Sequence, residues 1–319
     1  MRLLFRIAVS LLVGLSVAAH AQTYPSKPIK VIVPYAVGQG TDIMARYLAD
    51  EVSKLLGQPI YIDNRPGAGG NVGTQIAARS PADGYTLLIG TNATHAANGF
   101  LYSNTGFDPQ ADFEPLTMVG ILPLVFVTAP SNFINSVTDM VRATRDKPGA
   151  LNIAISTTTC RMAYELLHQQ AKAQMFPVDF KGSAQALTAV IGNQVEYMVD
   201  TIASLRAPIA NGQVKPLGVT SARSSRLLPG VKSVAEQGVT DFELVGWTVL
   251  YAPKGVNAEA ARTLVDGFSR VLTRPEVQDK LLEMGVEPVL RTGDGLKAYL
   301  EAEKKKWGQL IQAAGLKPS

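Results

Sequence analysis

The sequence predicts a two-lobe α/β protein, each lobe a mostly parallel sheet flanked by helices, with a cleft between the lobes. Three observations carry that expectation. Strand-like and helix-like segments alternate with short connections, which is the pattern of parallel β–α units. Two long strand-like runs, near residues 118–130 and 243–253, stand apart from the alternation and read as a pair of crossings between lobes. The mature chain, about 300 residues, is long enough for two cores rather than one.

The first segment is a leader. "MRLLFRIAVSLLVGLSVAAHAQ" has Arg2 and Arg6, an apolar run over 7–19, and Ala19-His20-Ala21 before Gln22. A basic start, a short apolar core and a small-x-small site make a secretory signal peptide over residues 1–21. The apolar run is short for a membrane span, so the mature chain is expected to be exported and soluble.

The β–α units follow. "IKVIVPYA" leads into a helix over 41–56, whose Ile43, Tyr47, Leu48, Val52 and Leu55 fall near one face. "PIYIDN" leads through a glycine-rich turn to the helix "VGTQIAARS", and "YTLLIG" leads to a helix in "TNATHAANGFL". After the first crossing the pattern resumes with helix 136–146, strand "NIAIS", helix 160–173, strand "FPVDF", helix 183–192, strand "EYMVDT", helix 204–211 and strand "VKPLGVTS". "ELVGWTVLYAP" is the second crossing. Two long helices close the chain, 257–284 with a break at Pro275, and 294–314. The expected division is lobe one over 22–123, lobe two over 124–246, and a return to lobe one over 247–319.

Composition narrows the function. Lys and Arg number 30 against 26 Asp and Glu, and the leader holds two of the cations, which leaves 28 against 26. That balance is no nucleic-acid footprint, and the local cluster "EAEKKKW" reads as a solvated helix face. Cys160 is the sole cysteine, so an internal disulfide is ruled out and a small space-filling role is expected. Beyond the leader only His95 and His168 remain, without metal-ligand spacing, and HExxH, G-x-S-x-G and P-loop motifs are absent. No cofactor and no metal are expected, and the chain is expected to act as a monomer.

In parallel sheets, ligands bind beyond the carboxyl ends of strands, at helix starts where backbone N–H groups are free. Four such ends carry small polar residues: "AVGQGTD" at 36–42, "GTNATHAAN" at 90–98, "STTTCR" at 156–161 and "FKGSAQAL" at 180–187. Each alone is ordinary capping chemistry. Together, two in each half of the chain, they suit a cleft for a small carboxylate. "RPGAGGNVG" invites a dinucleotide reading, but the third glycine of G-x-G-x-x-G falls at Val72 and the next strand lacks the ribose-binding acid. Arg161 follows Thr157, Thr158 and Thr159 in a first helical turn, where a cation opposes the helix dipole. It reads either as a solvated side chain or as a partner for an anion.

Four stretches, "YPSKPIKVIVPYAVGQGTDIMARYLA", "LGQPIYIDNRPGAGGNVGTQIAARSPADGYTLLIGTNATHAAN", "FKGSAQALTAVIGNQVEYMVDT" and "PLGVTSARSSRLLPGVKSVAEQG", together resemble the periplasmic receptors of tripartite tricarboxylate transporters, the Bug-type family. The resemblance implies a type II periplasmic-binding-protein fold that closes on its ligand. It implies a small organic acid carried to integral membrane transporter subunits, with one carboxylate held by backbone amides and waters. The site residues it implies lie in the first loop (Ala36, Gly38, Gln39, Thr41, Asp42) and the second loop (Thr91, Asn92, Thr94, Asn98). In lobe two they are the helix start Ser156, Thr157, Thr158, Thr159 and Arg161, the turn Lys181-Gly182, and the strand end Asp200-Thr201. Where the family has consecutive glycines in the first loop this chain has "AVGQG". Where the family has "SGxGTSxH" it has "STTTCRM", with Arg161 at the histidine position.

These residues set the expected ligand. The first carboxylate would sit at 38–42 with the amides near 181–183 closing over it, leaving Arg161 for a second carboxylate. Tyr35, Phe180 and Trp247 are expected to offer ring faces, which points to an aromatic dicarboxylate such as a phthalate isomer ahead of an aliphatic C4–C6 acid. The alternatives are a secreted esterase or amidase, and a ligand sensor for a signalling kinase.

Overall fold

The computed structural model describes residues 24–146 and 148–318. The leader expected over 1–21 lies outside the described residues. In lobe one, β1 (Ile29–Val33), β2 (Ile60–Asn64) and β3 (Thr86–Thr91) pair in parallel. They are joined by α1 (Gly40–Leu56) and α2 (Asn71–Ala78). In lobe two, β5 (Asn152–Ile155), β6 (Phe176–Asp179) and β7 (Tyr197–Thr201) are also parallel, joined by α5 (Thr158–Ala171) and α6 (Ser183–Ile191). The remaining elements are a short α3 (Asn98–Leu101), β4 (Phe113–Thr128), α4 (Val137–Asp146), α7 (Ile202–Ala210) and β8 (Lys215–Val219). The C-terminal part adds β9 (Val245–Pro253), α8 (Ala258–Leu272), α9 (Pro275–Glu283), β10 (Glu287–Thr292) and α10 (Gly293–Ala313).

The strand order β2-β1-β3-β9-β4-β7-β5-β6 makes one continuous ribbon of strands with β4 in the middle. β4 changes partner along its length. From Phe113 to Pro123 it pairs with β9, and from Leu124 to Thr128 with β7. All of these β4 pairings are antiparallel, as are those with β8 and β10. Between the named strands, parallel pairing is therefore confined to the β–α units, and the long strands β4 and β9 run antiparallel. Thr220 binds this junction, its hydroxyl accepting from the Leu124 N–H at 2.9 Å while its own N–H reaches the Leu124 carbonyl.

Local chemistry explains the element ends. α1 buries Met44, Ala45, Leu48, Ala49 and Val52 on one stripe, each side chain worth about 1.5–3 kcal/mol when a large one is fully removed from water. It stops at Gly57, whose left-handed φ of 68° lets its N–H reach the Ser53 carbonyl. The break expected at Pro275 falls there, with the proline in the first turn of α9. Two expectations differ from the structure. Residues 91–101 hold a π-type turn, Ala93–Ala97, and only a short helix after it. The segment 287–292 is a strand on β4, hidden in the sequence because its burial does not alternate.

Three apolar clusters form the core. One fills the α1, α8 and α9 face of lobe one, and another the α6 and α7 face of lobe two. The third is shared between lobes: Leu88, Trp247, Trp307 and Ile311 pack in the same cluster as Cys160, Met162, Leu167 and Tyr197. α10 makes that link by lying against α5.

Candidate functional site

The first loop leaves β1 at Val33 and enters α1 at Gly40. Ala36, Gly38 and Gln39 are exposed and Thr41 half-exposed. No side chain caps this helix start, so its first amides stay available to an anion, and the dipole favours one there. Asp42 is the hub beneath the loop. It is buried; its Oδ2 accepts from the Gly38 N–H at 2.9 Å and from Arg46 Nε at 3.1 Å, and its Oδ1 from Asn64 Nδ2 at 2.9 Å. Arg46 adds an ion pair at 3.0 Å, and Asn64 also holds the Tyr35 carbonyl at 3.0 Å. Burial alone would raise the Asp42 carboxyl, but the bonds from Arg46, Gly38 and Asn64 outweigh it and hold it below its ordinary range. Asp42 thus shapes the loop; its oxygens are taken by protein donors rather than turned to a ligand.

The second loop supplies buried amides and hydroxyls. Tyr35 and Thr91 share a hydroxyl bond at 2.6 Å. Thr94 Oγ1 accepts from the Thr91 N–H, and Asn98 Nδ2 donates to Asn71 Oδ1 at 2.7 Å and to the Gly69 carbonyl. Gly70 has a φ of 98°, and a Cβ there would lie 2.7 Å from the Thr94 methyl, so glycine lets the two loops touch. Asn92 reaches across the lobes. Its Nδ2 donates to Thr159 Oγ1 at 3.0 Å, and its Oδ1 takes the Trp247 N–H at 3.4 Å.

In lobe two, Thr157 caps α5, its Oγ1 accepting from the Cys160 N–H. Ser156 donates to Asp200 Oδ2 at 2.6 Å, and Asp200 Oδ1 takes the Thr201 N–H at 2.7 Å. Asp200, like Asp42, is buried and turned onto protein donors. Thr201 in turn caps α7. The start of α6, after Lys181 and Gly182, has no side-chain cap. Among the four strand ends singled out in the sequence, the starts of α1 and α6, one in each lobe, and the π-type turn after Asn92 carry no side-chain cap, while α5 is closed by its own Thr157. A cavity of about 360 Å³ lies between Asn92, Asn98, Thr158 and Thr159, with Trp307 and Lys317 also on its wall.

Two expectations are corrected. Arg161 is not without a partner: its Nε donates to Glu165 Oε1 at 2.7 Å, one helical turn on, with both side chains largely buried. Trp247 offers no ring face to the cleft. Its indole is 1% exposed, donates to Glu303 Oε2 at 2.9 Å and sits edge-on to Tyr299. Side chains alternate across a strand, and the parity of β9 turns this ring toward α10, leaving its backbone N–H for Asn92. Phe180 is half-buried against the lobe-two core. The residues that sequence reasoning missed are Arg46 and Asn64. Arg46 stands four residues after Asp42 and Asn64 ends β2, and both positions carry a readable signal.

Cys160 is buried, and burial together with the nearby Asp200 charge pushes its thiol up to about 12, against weaker help from Ser156 and Thr157. It is no nucleophile at neutral pH. Among the described residues there is no cluster of His, Cys, Asp and Glu able to hold a metal ion, and no helix long and apolar enough to cross a membrane.

Comparison with known proteins matches residues 44–316 to the tripartite tricarboxylate transporter family receptor. The chain is 31% identical over 307 residues to Protein BugT of Bordetella pertussis, covering 95% of this chain and 94% of that protein. It resembles the structure of R. palustris Rpa4515 with adipate at 30% identity and a TM-score of 0.79, covering 93% of this chain and all of the other. It also resembles MatC of Rhodopseudomonas palustris with bound malate, at 28% identity and a TM-score of 0.72, covering 90% of this chain and all of that one.

Proposed function

The chain belongs to the tripartite tricarboxylate transporter receptor family and is a solute-binding receptor, and on that premise we propose that it captures an aliphatic dicarboxylate of four to six carbons between its lobes. The observation that supports this reading is the pair of uncapped helix starts, α1 in lobe one and α6 in lobe two, each at the carboxyl end of a parallel strand. One ligand carboxylate would accept from these amides as the lobes close. The two acids near the cleft do not oppose it, because Asp42 and Asp200 spend their oxygens on protein donors.

An aliphatic spacer is favoured over an aromatic one. The Trp247 ring is committed to the core, which removes one of the ring faces expected to receive an aromatic ligand. Two structural neighbours hold adipate and malate, both aliphatic diacids. The receptor would work in the periplasm as a monomer and deliver its cargo to integral membrane subunits, without chemical change to it.

Differential scanning fluorimetry and calorimetry with adipate, malate, phthalate and their monoacid analogues test the reading. A bound diacid at a hundredfold excess over Kd stabilises by about 2.7 kcal/mol, a shift well within reach. Tighter binding of phthalate than of adipate or malate would restore the aromatic reading. Turnover of any acid, followed by mass spectrometry, would overturn the receptor reading.

A further inference from the structure

The cavity of about 360 Å³ between the lobes has a wall whose charge is all of one sign. Among the described residues Lys317 is its only charged lining residue, and no aspartate or glutamate stands on it. The end of α10 puts Lys317 there. Gly315, with a left-handed φ of 68°, sends its N–H to the Gln312 carbonyl at 3.1 Å, and Leu316 sends its own to the Ile311 carbonyl at 3.3 Å. That pair of bonds is a Schellman turn. It reverses the chain, seats Leu316 against the core cluster shared by the lobes and brings Lys317 to the cavity.

Lys317 is exposed and has no ion pair or hydrogen bond among the described residues. Thr158 is exposed and Tyr102 half-buried on the same wall, and their hydroxyls are likewise without a partner there. Gly69 makes room for the Tyr102 hydroxyl, since a Cβ on it would lie 2.7 Å away. An ammonium beside hydroxyls free to donate, with no acid on the wall, selects an anion. The other cations near the cleft are differently placed. Arg46 is spent on Asp42 and Arg161 on Glu165, and Lys181 precedes the start of α6, where the first carboxylate is received. The cavity adjoins that first site. The Tyr35 hydroxyl bonds Thr91 Oγ1 at 2.6 Å, so the first loop is tied to the residue before Asn92, and Asn92 bridges to Thr159 across the cavity wall.

We propose that this cavity receives the second carboxylate of the ligand, with Lys317 as its charged partner, so that the turn after α10 sets the preference for a diacid over a monoacid. The inference rests on the proposed capture of a dicarboxylate and adds the residue that reads its far end.

The native chain and Lys317→Met, which keeps the length of the side chain and removes its charge, are titrated by calorimetry with adipate and with hexanoate, its monoacid analogue. Adipate should weaken about tenfold, the worth of one hydrogen bond to a charged group, while hexanoate keeps its affinity. Lys317→Arg should restore most of the adipate binding. Scanning fluorimetry without ligand should give the same Tm for all three chains, because the exposed side chain holds no part of the fold. Adipate binding unchanged in Lys317→Met, equal losses for adipate and hexanoate, or a native chain that binds both acids equally overturns the proposal. Where malate or phthalate binds in place of adipate, it is compared with its own monoacid analogue in the same way. A native chain that binds none of the three diacids marks the separate failure of the cleft reading and takes this inference with it.

Discussion

Replacing Asp42 with asparagine removes one charge and half of an acceptor set while keeping the shape. In the native loop one carboxylate oxygen faces the Gly38 N–H and Arg46 Nε, and the other faces Asn64 Nδ2 and the second Arg46 nitrogen. Either orientation of the new amide turns an NH₂ toward donors. The Gly38 and Asn64 contacts are bonds to a charged, buried acceptor, worth about 1.5–3 kcal/mol each. The Arg46 pair is discounted to under about 1 kcal/mol, since Arg46 is 47% exposed. With one bond lost outright and the pair weakened, destabilisation of about 2–3 kcal/mol is expected, or a fall in Tm of roughly 3–5 °C in a chain this size. Releasing the Gly38 N–H also loosens the first loop, and ordering it again should weaken diacid binding roughly five- to tenfold. The pH dependence gives an independent check. A carboxylate held below its ordinary 3.8 contributes stability above that pH and loses it as the pH falls through the depressed folded value. The gap in Tm between the native chain and the variant should be constant near neutrality and shrink below about pH 4. Equal Tm values at pH 7, or a gap that widens in acid, would refute the account of Asp42 as the loop's hub.

Three further outcomes are expected. Asn92→Ala removes the bond to Thr159 that joins the lobes; small-angle scattering should show a larger unliganded radius of gyration, and calorimetry a two- to tenfold weaker diacid, from about 0.5–1.5 kcal/mol, whereas unchanged values for both would deny the bridge a role in closure. Arg161→Ala leaves Glu165 buried without its cation, so Tm should drop while diacid and monoacid lose affinity alike and by less than tenfold; a loss above a hundredfold confined to the diacid would show that Arg161 reads a second carboxylate after all. Cys160, raised to about 12, should resist a thiol reagent at pH 8 in the native protein and react fully once unfolded; rapid native labelling would contradict its burial.

The β–α units and the Pro275 break were legible because each is written in local periodicity or in proline chemistry. The antiparallel sense of β4 and β9 was not, since it depends on where the chain returns rather than on any residue. At the site, the hydroxyl-rich strand end at Ser156 and Thr157 does lead into a helix start, α5, whereas that at Thr91 and Asn92 leads into a π-type turn. The Arg161–Glu165 pair was open to view as an i,i+4 spacing, yet a cation in a first helical turn also fits an anion, and the sequence does not choose between the two partners. Trp247 shows a different limit: whether a strand residue faces cleft or core is set by register, and one step reverses it. The Asp42–Asn64 bond joins residues 22 positions apart, and only the fold of β2 beside the first loop brings them together.

The outermost strand of lobe two bears on how the folded chain behaves toward copies of itself. Among the described residues β6 pairs with β5 alone and leaves its other side open. An open edge is a template on which further chains can stack. Here the strand reads Phe176, Pro177, Val178, Asp179, just four residues long. A proline survives in a sheet only where its nitrogen faces no partner, so Pro177 presents the outside with a missing donor in the middle of the edge. Asp179 ends the strand with an exposed side chain whose charge would crowd against its own copy in any growing stack. This border resists templated growth through backbone it cannot offer, which lets the protein be kept concentrated without seeding fibrils from that side.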